Sequence, residues 1–154
     1  MSRMRNTALF FALLSLPAFA DGLLHGTVVS VADGDTIRFE TAHGGRIKVR
    51  LAQIDAPEKS QPGGKASQVN LGEMCMQQPA TLAITDQDRY GRLVAMVTCN
   101  GVDANREQIR RGMAWVYTKY ATDPDLPGIE AEARDARRGL WAEDAVPPWE
   151  WRSH

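Results

Sequence analysis

The chain has 154 residues, with 18 basic and 19 acidic side chains and a formal net charge of −1. This is the size of one domain, and the balance excludes the strongly basic composition that usually accompanies nucleic-acid coating proteins. Beyond the first twenty residues no apolar run approaches the roughly 20 residues that span a bilayer, which excludes a multi-spanning membrane protein.

In chain order, Arg3 and Arg5 precede an apolar run from Ala8 to Leu16, followed by Pro17 and Ala18-Phe19-Ala20. A charged start, a short apolar middle and small residues at the cut describe a secretory signal peptide cleaved after Ala20. The expected mature protein is a single domain of residues 21–154, secreted or periplasmic. Without Arg3 and Arg5 it holds 16 basic against 19 acidic residues, and the excess acid lies toward the C-terminus: residues 120–154 have four basic and eight acidic side chains.

Gly26 to Ala32 is rich in β-branched residues and stops at Asp33-Gly34, a two-residue hairpin signal. Thr36 to Thr41 alternates, with Ile37 and Phe39 on one face. After the turn at His43-Gly44-Gly45, Arg46 to Leu51 puts Ile47, Val49 and Leu51 to one side and Lys48 and Arg50 to the other. Period 2 therefore turns Arg50 away from the core, toward water or an anion. Pro62-Gly63-Gly64 is a loop, and Lys65 to Met76 reads as a helix with Val69 and Met76 at heptad spacing. Thr81 to Thr85 and Leu93 to Cys99 are two further strands. Asp103 to Tyr117 reads as one helix with Ile109, Met113 and Val116 on a face, and Pro127 to Leu140 as the last helix; the tail from Val146 to Trp151 reads as extended. Five strands with a helix between the third and fourth predict an α+β, mainly β fold: a five-stranded Greek-key OB-fold barrel with about three helices.

Cys75 and Cys99 are the only cysteines, and an exported chain meets an oxidising compartment, so one structural disulfide is expected. Closing that loop contributes about 3.5 kcal/mol in the chain-entropy account.

The chemistry concentrates in three short segments. Arg50 to Glu58 carries a guanidinium at the end of a strand and, in the bend after it, Asp55 and Glu58 on either side of Pro57. Asp33-Gly34-Asp35-Thr36 adds a carboxylate at the start of the second strand, and Asp88-Arg89-Tyr90-Gly91-Arg92 adds a second arginine. Asp35 and Asp55 both fall at strand ends and in a meander can share one side of the sheet. Facing carboxylates repel, and a hard divalent cation offsets that repulsion; an all-oxygen site suits Ca2+. The plainer alternative makes Asp35 a helper of the hairpin turn. Glu58 can orient a metal-bound water or be a solvated loop glutamate. Arg50 and Arg92 have the planar fork that stabilises charge on phosphate oxygens, although Arg92 alone could be a surface ion-pair partner. Arg89 and Tyr90 either hold a neighbouring phosphate or are turn residues.

These segments, together with Gly112 to Tyr117, Arg138-Gly139-Leu140-Trp141 and the Pro-Pro-Trp-Glu-Trp tail, resemble the staphylococcal nuclease (thermonuclease) family over almost all of the mature domain. The resemblance implies a Ca2+-dependent phosphodiesterase that cleaves single-stranded or locally open DNA and RNA, leaving 3′-phosphate ends. Separately, with no oligomer signal in the sequence, a monomer is expected. By motif it implies Asp35, Asp55 and the Ala56 backbone carbonyl as calcium ligands, Glu58 acting through the attacking water, and Arg50 and Arg92 on the scissile phosphate. Arg89, Tyr90, Tyr117 and Tyr120 become candidates for substrate binding. The sequence departs from the family archetype at Ala56, where the archetype has threonine, and in the short loop from Lys59 to Lys65. A non-catalytic OB-fold module that binds nucleic acid is the alternative; it would be favoured by loss of any of Asp35, Arg50, Asp55, Glu58 or Arg92, and all are present.

Overall fold

Alternating side chains in the first strands and a long, twice-bulged opening strand produce the main feature of the fold, a closed barrel. In the computed structural model, which describes residues 22–154, the order is β1 (Leu24–Asp33), β2 (Thr36–Thr41), β3 (Arg46–Leu51), β4 (Ile54–Asp55), α1 (Gly64–Cys75), β5 (Pro79–Gln87), β6 (Leu93–Cys99), β7 (Val102–Asp103), α2 (Ala104–Arg110), β8 (Trp115–Val116), α3 (Leu126–Asp135), a 3-10 turn (Gly139–Ala142) and α4 (Pro148–Trp151). The expected signal peptide and its cleavage point after Ala20 lie outside the described residues.

The sheet runs β3-β2-β1-β5-β6-β7 in antiparallel pairs, and a parallel pairing of β3 with β6 closes its first five strands into a barrel, Val49 opposite Leu93 and Leu51 opposite Ala95. β1 reaches both neighbours because its register shifts between Val28 and Ser30 and again between Val31 and Asp33, and such bulges bend a strand. Val28, Ile37, Phe39, Val49, Leu51, Leu82 and Val97 fill the interior with no exposed surface. Each such side chain contributes about 1.5–3 kcal/mol of burial free energy. The expected alternation of β2 and β3 holds: Ile37 and Phe39 point in, and Lys48 points out. α1 lies between the third and fourth barrel strands in the chain and packs on β1. A disulfide between Cys75 and Cys99, Cα atoms 5.1 Å apart, ties its end to the end of β6 as expected. No helix of the described residues is long and apolar enough to cross a membrane.

Four expectations are corrected. The helix read over Asp103 to Tyr117 stops at Arg110, because Gly112 turns the chain at φ 71° and a side chain there would strike the Arg138 carbonyl. Trp115 and Val116 leave the helical path to form β8, paired with β4. The helix read to Leu140 ends at Asp135, since Arg137 and Gly139 take positive φ and the backbone of Gly139 packs on that of Gly112. Val69 and Met76 are exposed, not core. The inward face of α1 instead carries Ser67 and Asn70 beside Leu71, Met74 and Cys75, and these polar groups have partners: the Ser67 hydroxyl donates to the Met113 carbonyl (2.6 Å) and the Asn70 amide to Gln108. Finally, the tail is not extended throughout; Pro148 starts a one-turn helix, the position where a proline lacking its N–H does no harm, so the described residues hold four α-helices.

Candidate active site

Local backbone chemistry brings the three charged segments together at one end of the barrel. The Asp35 amide donates to the Asp33 carboxylate (3.0 Å), which shapes the turn into β2. Thr36 is paired with Arg50 across β2 and β3, and the Leu51 amide donates to the Asp35 carbonyl (2.8 Å). β4 then carries Asp55 against Trp115 of β8, and the Ala56 amide donates to the Asp35 carboxylate (2.8 Å). Asp35 and Asp55 are thereby fixed side by side with 6% and 1% of their surface exposed. Beneath them Gln108 donates to the Gly34 carbonyl (2.7 Å), so a buried polar network supports the turn.

Arg50 lies between the two aspartates, 3.4 Å from an Asp55 oxygen and 3.7 Å from an Asp35 oxygen. Its outward direction agrees with the strand period, but what it meets is two carboxylates and the Tyr117 ring, 5.5 Å away, not open solvent. The parallel pairing of β3 with β6 sets Arg50 opposite Val94, two residues from Arg92. Arg92 is held before any ligand arrives: Asp88 accepts its Nε at 2.7 Å, and its Nη1 donates to the Thr36 hydroxyl at 3.2 Å. The same Asp88 accepts the Tyr90 amide, folding the hairpin that presents Arg89 and Tyr90. Tyr90 is 70% exposed, with the Arg89 and Arg92 guanidinium groups 5.0 and 5.7 Å from its ring centre. Tyr117 and Tyr120 meet edge to face at 4.9 Å on the opposite wall, with Lys119 over Tyr120.

Every residue expected to act on a ligand therefore lines one cleft of about 1120 Å³: Asp35, Arg50, Asp55, Ala56, Glu58, Arg89, Tyr90, Arg92, Tyr117 and Tyr120. Arg38, Lys48 and Lys119 extend its rim and were not singled out in the sequence. Arg152 was also not foreseen. It donates from Nη2 to one Asp55 oxygen (2.7 Å) and from Nη1 to the other (3.2 Å) and to Glu58 (2.7 Å). Its one sequence signal is weak: it is the sole arginine or lysine after Arg138, in a segment carrying Glu143, Asp144 and Glu150.

The electrostatics follow from crowding of carboxylates. Burial, then the neighbouring charge of Asp35 and, more weakly, Glu58, push the Asp33 carboxyl up to about 7. Burial also raises Asp55, against the opposing pull of Arg152 and Arg50. Partial burial acts upward on Asp88 too, but hydrogen bonds from Arg92 and from the Arg92 and Tyr90 amides hold it below the ordinary carboxylate value. A corner where carboxylates are pushed toward their neutral forms is one that added positive charge relieves. Among the described residues no three or more His, Cys, Asp or Glu side chains gather in metal-binding geometry. A cation here would take Asp35 and Asp55 plus backbone and water oxygens, a donor set that fits Ca2+ and not a thiolate- or imidazole-seeking metal.

Comparison with known proteins agrees with this geometry. The family described as staphylococcal nuclease homologue matches residues 48–143. A protein named "Uncharacterized endonuclease" from Escherichia coli O157:H7 is 43% identical over 131 residues, covering 84% of this chain and 85% of its own. "Micrococcal nuclease" from Shigella flexneri is 36% identical over 152 residues, covering 91% and 86%. "Probable staphylococcal-like nuclease CAN1" from Oryza sativa subsp. japonica is 39% identical over 108 residues, covering 70% of this chain and 33% of its own. With a closed five-stranded barrel, paired aspartates and two fixed arginines in one cleft, this chain belongs to the staphylococcal nuclease family and is a nuclease.

Proposed function

We propose that the protein is an exported, Ca2+-dependent endonuclease that hydrolyses DNA and RNA to products with 3′-phosphate ends. The observation that carries this reading is the meeting of Asp35, Asp55, Glu58, Arg50 and Arg92 in one cleft from three distant segments. Asp35, Asp55 and the Ala56 carbonyl would hold the ion, and when bound it supplies positive charge that polarises the phosphodiester and the attacking water. Glu58 takes the proton of that water at a carboxylate oxygen as the water oxygen bonds phosphorus; the P–O5′ bond breaks and the 5′ oxygen leaves as a hydroxyl on taking a proton from solvent, so the phosphate stays on the 3′ side. Arg50 and Arg92 hold the phosphate oxygens on which charge develops; because Asp88 and Thr36 already fix the Arg92 plane, little reorganisation is needed. Tyr90 on one wall, and Tyr117 with Tyr120 on the other, offer ring faces to bases, which suits single-stranded or locally open substrate. The departure at Ala56 leaves a backbone carbonyl in place, so it is compatible with the ligand set.

Export is proposed on the N-terminal pattern and supported by the Cys75–Cys99 disulfide, since such bonds persist in oxidising compartments. N-terminal sequencing should find a mature protein beginning at Asp21; a start at Met1 would overturn export. We take the mature protein to be a monomer.

The test of activity is digestion of single-stranded DNA and of RNA by the mature protein with Ca2+, with chelator, and with Glu58→Ala. Cleavage in Ca2+, loss in chelator and a large loss in the variant are expected. Undegraded substrate in Ca2+ would leave the non-catalytic binding module as the better reading. Cleavage indifferent to chelator would remove the metal assignment alone.

A further inference from the structure

We propose that Arg152, carried by the C-terminal tail, is a positioning residue of this site: its guanidinium joins the metal-ligand candidate Asp55 to the proposed base Glu58 and fixes one relative to the other. The inference rests on the nuclease reading above and extends it to a residue outside the family match, which ends at residue 143.

Glu58 needs such a partner. Its side chain is 39% exposed and sits in the loop between β4 and α1, where Pro57 and Pro62 set the path, and among the described residues Arg152 is the side chain that its carboxylate pairs with. Asp55, by contrast, is almost fully buried on a paired strand. Arg152 spans the two. Its fork takes both oxygens of Asp55, and Nη1 is shared with Glu58 at 2.7 Å. A planar fork with two donors on a rigid carboxylate has one orientation, so the third contact places Glu58.

The tail is itself anchored on the same parts of the site. Trp149 packs edge-on against Trp115, the residue paired with Asp55, at 6.3 Å. Gln61, nearly buried, donates to the Val146 carbonyl and accepts the Glu58 amide, so the loop bearing Glu58 is tied to the tail at a second point. Leu140 packs over Gly63 in the same loop. Arg152 thus reaches the cleft from an element fastened to both groups it joins.

The arrangement has a signature that separates positioning from other roles. A guanidinium sharing Asp55 with a divalent cation opposes that cation, so removing it should strengthen calcium binding while releasing Glu58. For Arg152→Ala, calorimetric titration of the metal-free protein with Ca2+ should show affinity raised by about fivefold or more, the lower end of ordinary coupling between ligands. Turnover in saturating Ca2+ should fall by about 10- to 100-fold, the usual cost of losing a group that orients a metal-site residue, with KM little changed. Arg152→Lys, which keeps charge but not the fork, should recover part of the turnover. Thermal melts in saturating Ca2+ accompany each variant. Turnover unchanged or raised, as for a bystander or an inhibitory latch, would overturn the proposal. So would a rise in KM as the main effect, which marks phosphate binding, or weaker Ca2+ binding together with a lowered melting temperature, which marks a structural support. Wild-type protein that binds Ca2+ but cleaves nothing would overturn the nuclease reading as well, a result distinct from any difference between wild type and variant.

Discussion

Asp33 shows how a residue chosen for its turn geometry becomes part of the electrostatics of a site. Its carboxylate accepts the Asp35 amide, and in exchange it sits beside two other acids in a poorly hydrated corner. Its folded-state pKa of about 7 is above the ordinary value, so the folded protein binds a proton more tightly than the unfolded chain. Stability from this group is fully present below about pH 4 and is lost as the pH rises through about 7. The metal-free protein should therefore melt at progressively lower temperature across that range. Asp33→Asn, which keeps an oxygen for the Asp35 amide, should flatten that part of the melting profile; an unchanged slope would show that Asp33 is not the titrating group. Arg92 supplies the second test at this scale. Its Nε and Nη1 are fixed by Asp88 and Thr36, geometry that lysine cannot reproduce. Arg92→Lys should reduce turnover by about 100-fold or more while substrate binding changes far less. Parallel losses in turnover and binding would mean that Arg92 only anchors phosphate.

Among elements, the short pair β4 and β8 matters most to function, because it seats Asp55, and it exists only because α2 stops early. Gly112 permits that stop: it takes φ 71°, lies against the Arg138 carbonyl, and receives the Leu140 amide on its own carbonyl (2.9 Å). Gly112→Ala meets both a strained backbone angle and a backbone clash, and should destabilise the protein by about 2 kcal/mol or more, read by urea denaturation. It should also weaken Ca2+ binding, since β8 would shift under Asp55; destabilisation with normal calcium affinity would separate the two elements. These boundaries explain the misread helices. Ile109, Met113 and Val116 do recur at helical spacing, and Ile129, Ala133 and Leu140 likewise, yet Ile109 and Val116 are buried from different elements. Periodicity describes which residues are apolar, and a single positive-φ glycine decides whether they belong to one helix. On α1 the reverse error arose: apolar Val69 and Met76 face solvent while Ser67 and Asn70 face in, because hydrogen-bond partners on α2 and the segment after it make polar burial favourable.

For the whole molecule, charge distribution outweighs net charge. A slightly acidic chain still gathers Arg38, Lys48, Arg50, Arg89, Arg92 and Lys119 around one cleft, with the carboxylates grouped at its floor. If calcium binds that floor in the folded state only, it stabilises the protein by mass action, by about 2.7 kcal/mol at a free concentration one hundred times the dissociation constant. Melting temperature should accordingly rise with Ca2+ and fall back in chelator, and Asp55→Asn should abolish the rise. A melting temperature indifferent to Ca2+ would argue that the floor is balanced by arginines alone. The barrel, the helix after its third strand, the disulfide partners and the grouping of Asp35, Arg50, Asp55, Glu58 and Arg92 were legible along the chain, because each depends on local patterns: alternation, turn residues, a lone cysteine pair, and charged residues clustered within a few positions; Tyr117 and Tyr120 entered only through the resemblance to the nuclease family. The closure of β3 on β6, the strand made by Trp115 and Val116, and the reach of Arg152 to Asp55 and Glu58 were decided by tertiary structure, because they join residues from 44 to 97 positions apart or depend on backbone turns that side-chain periodicity does not record.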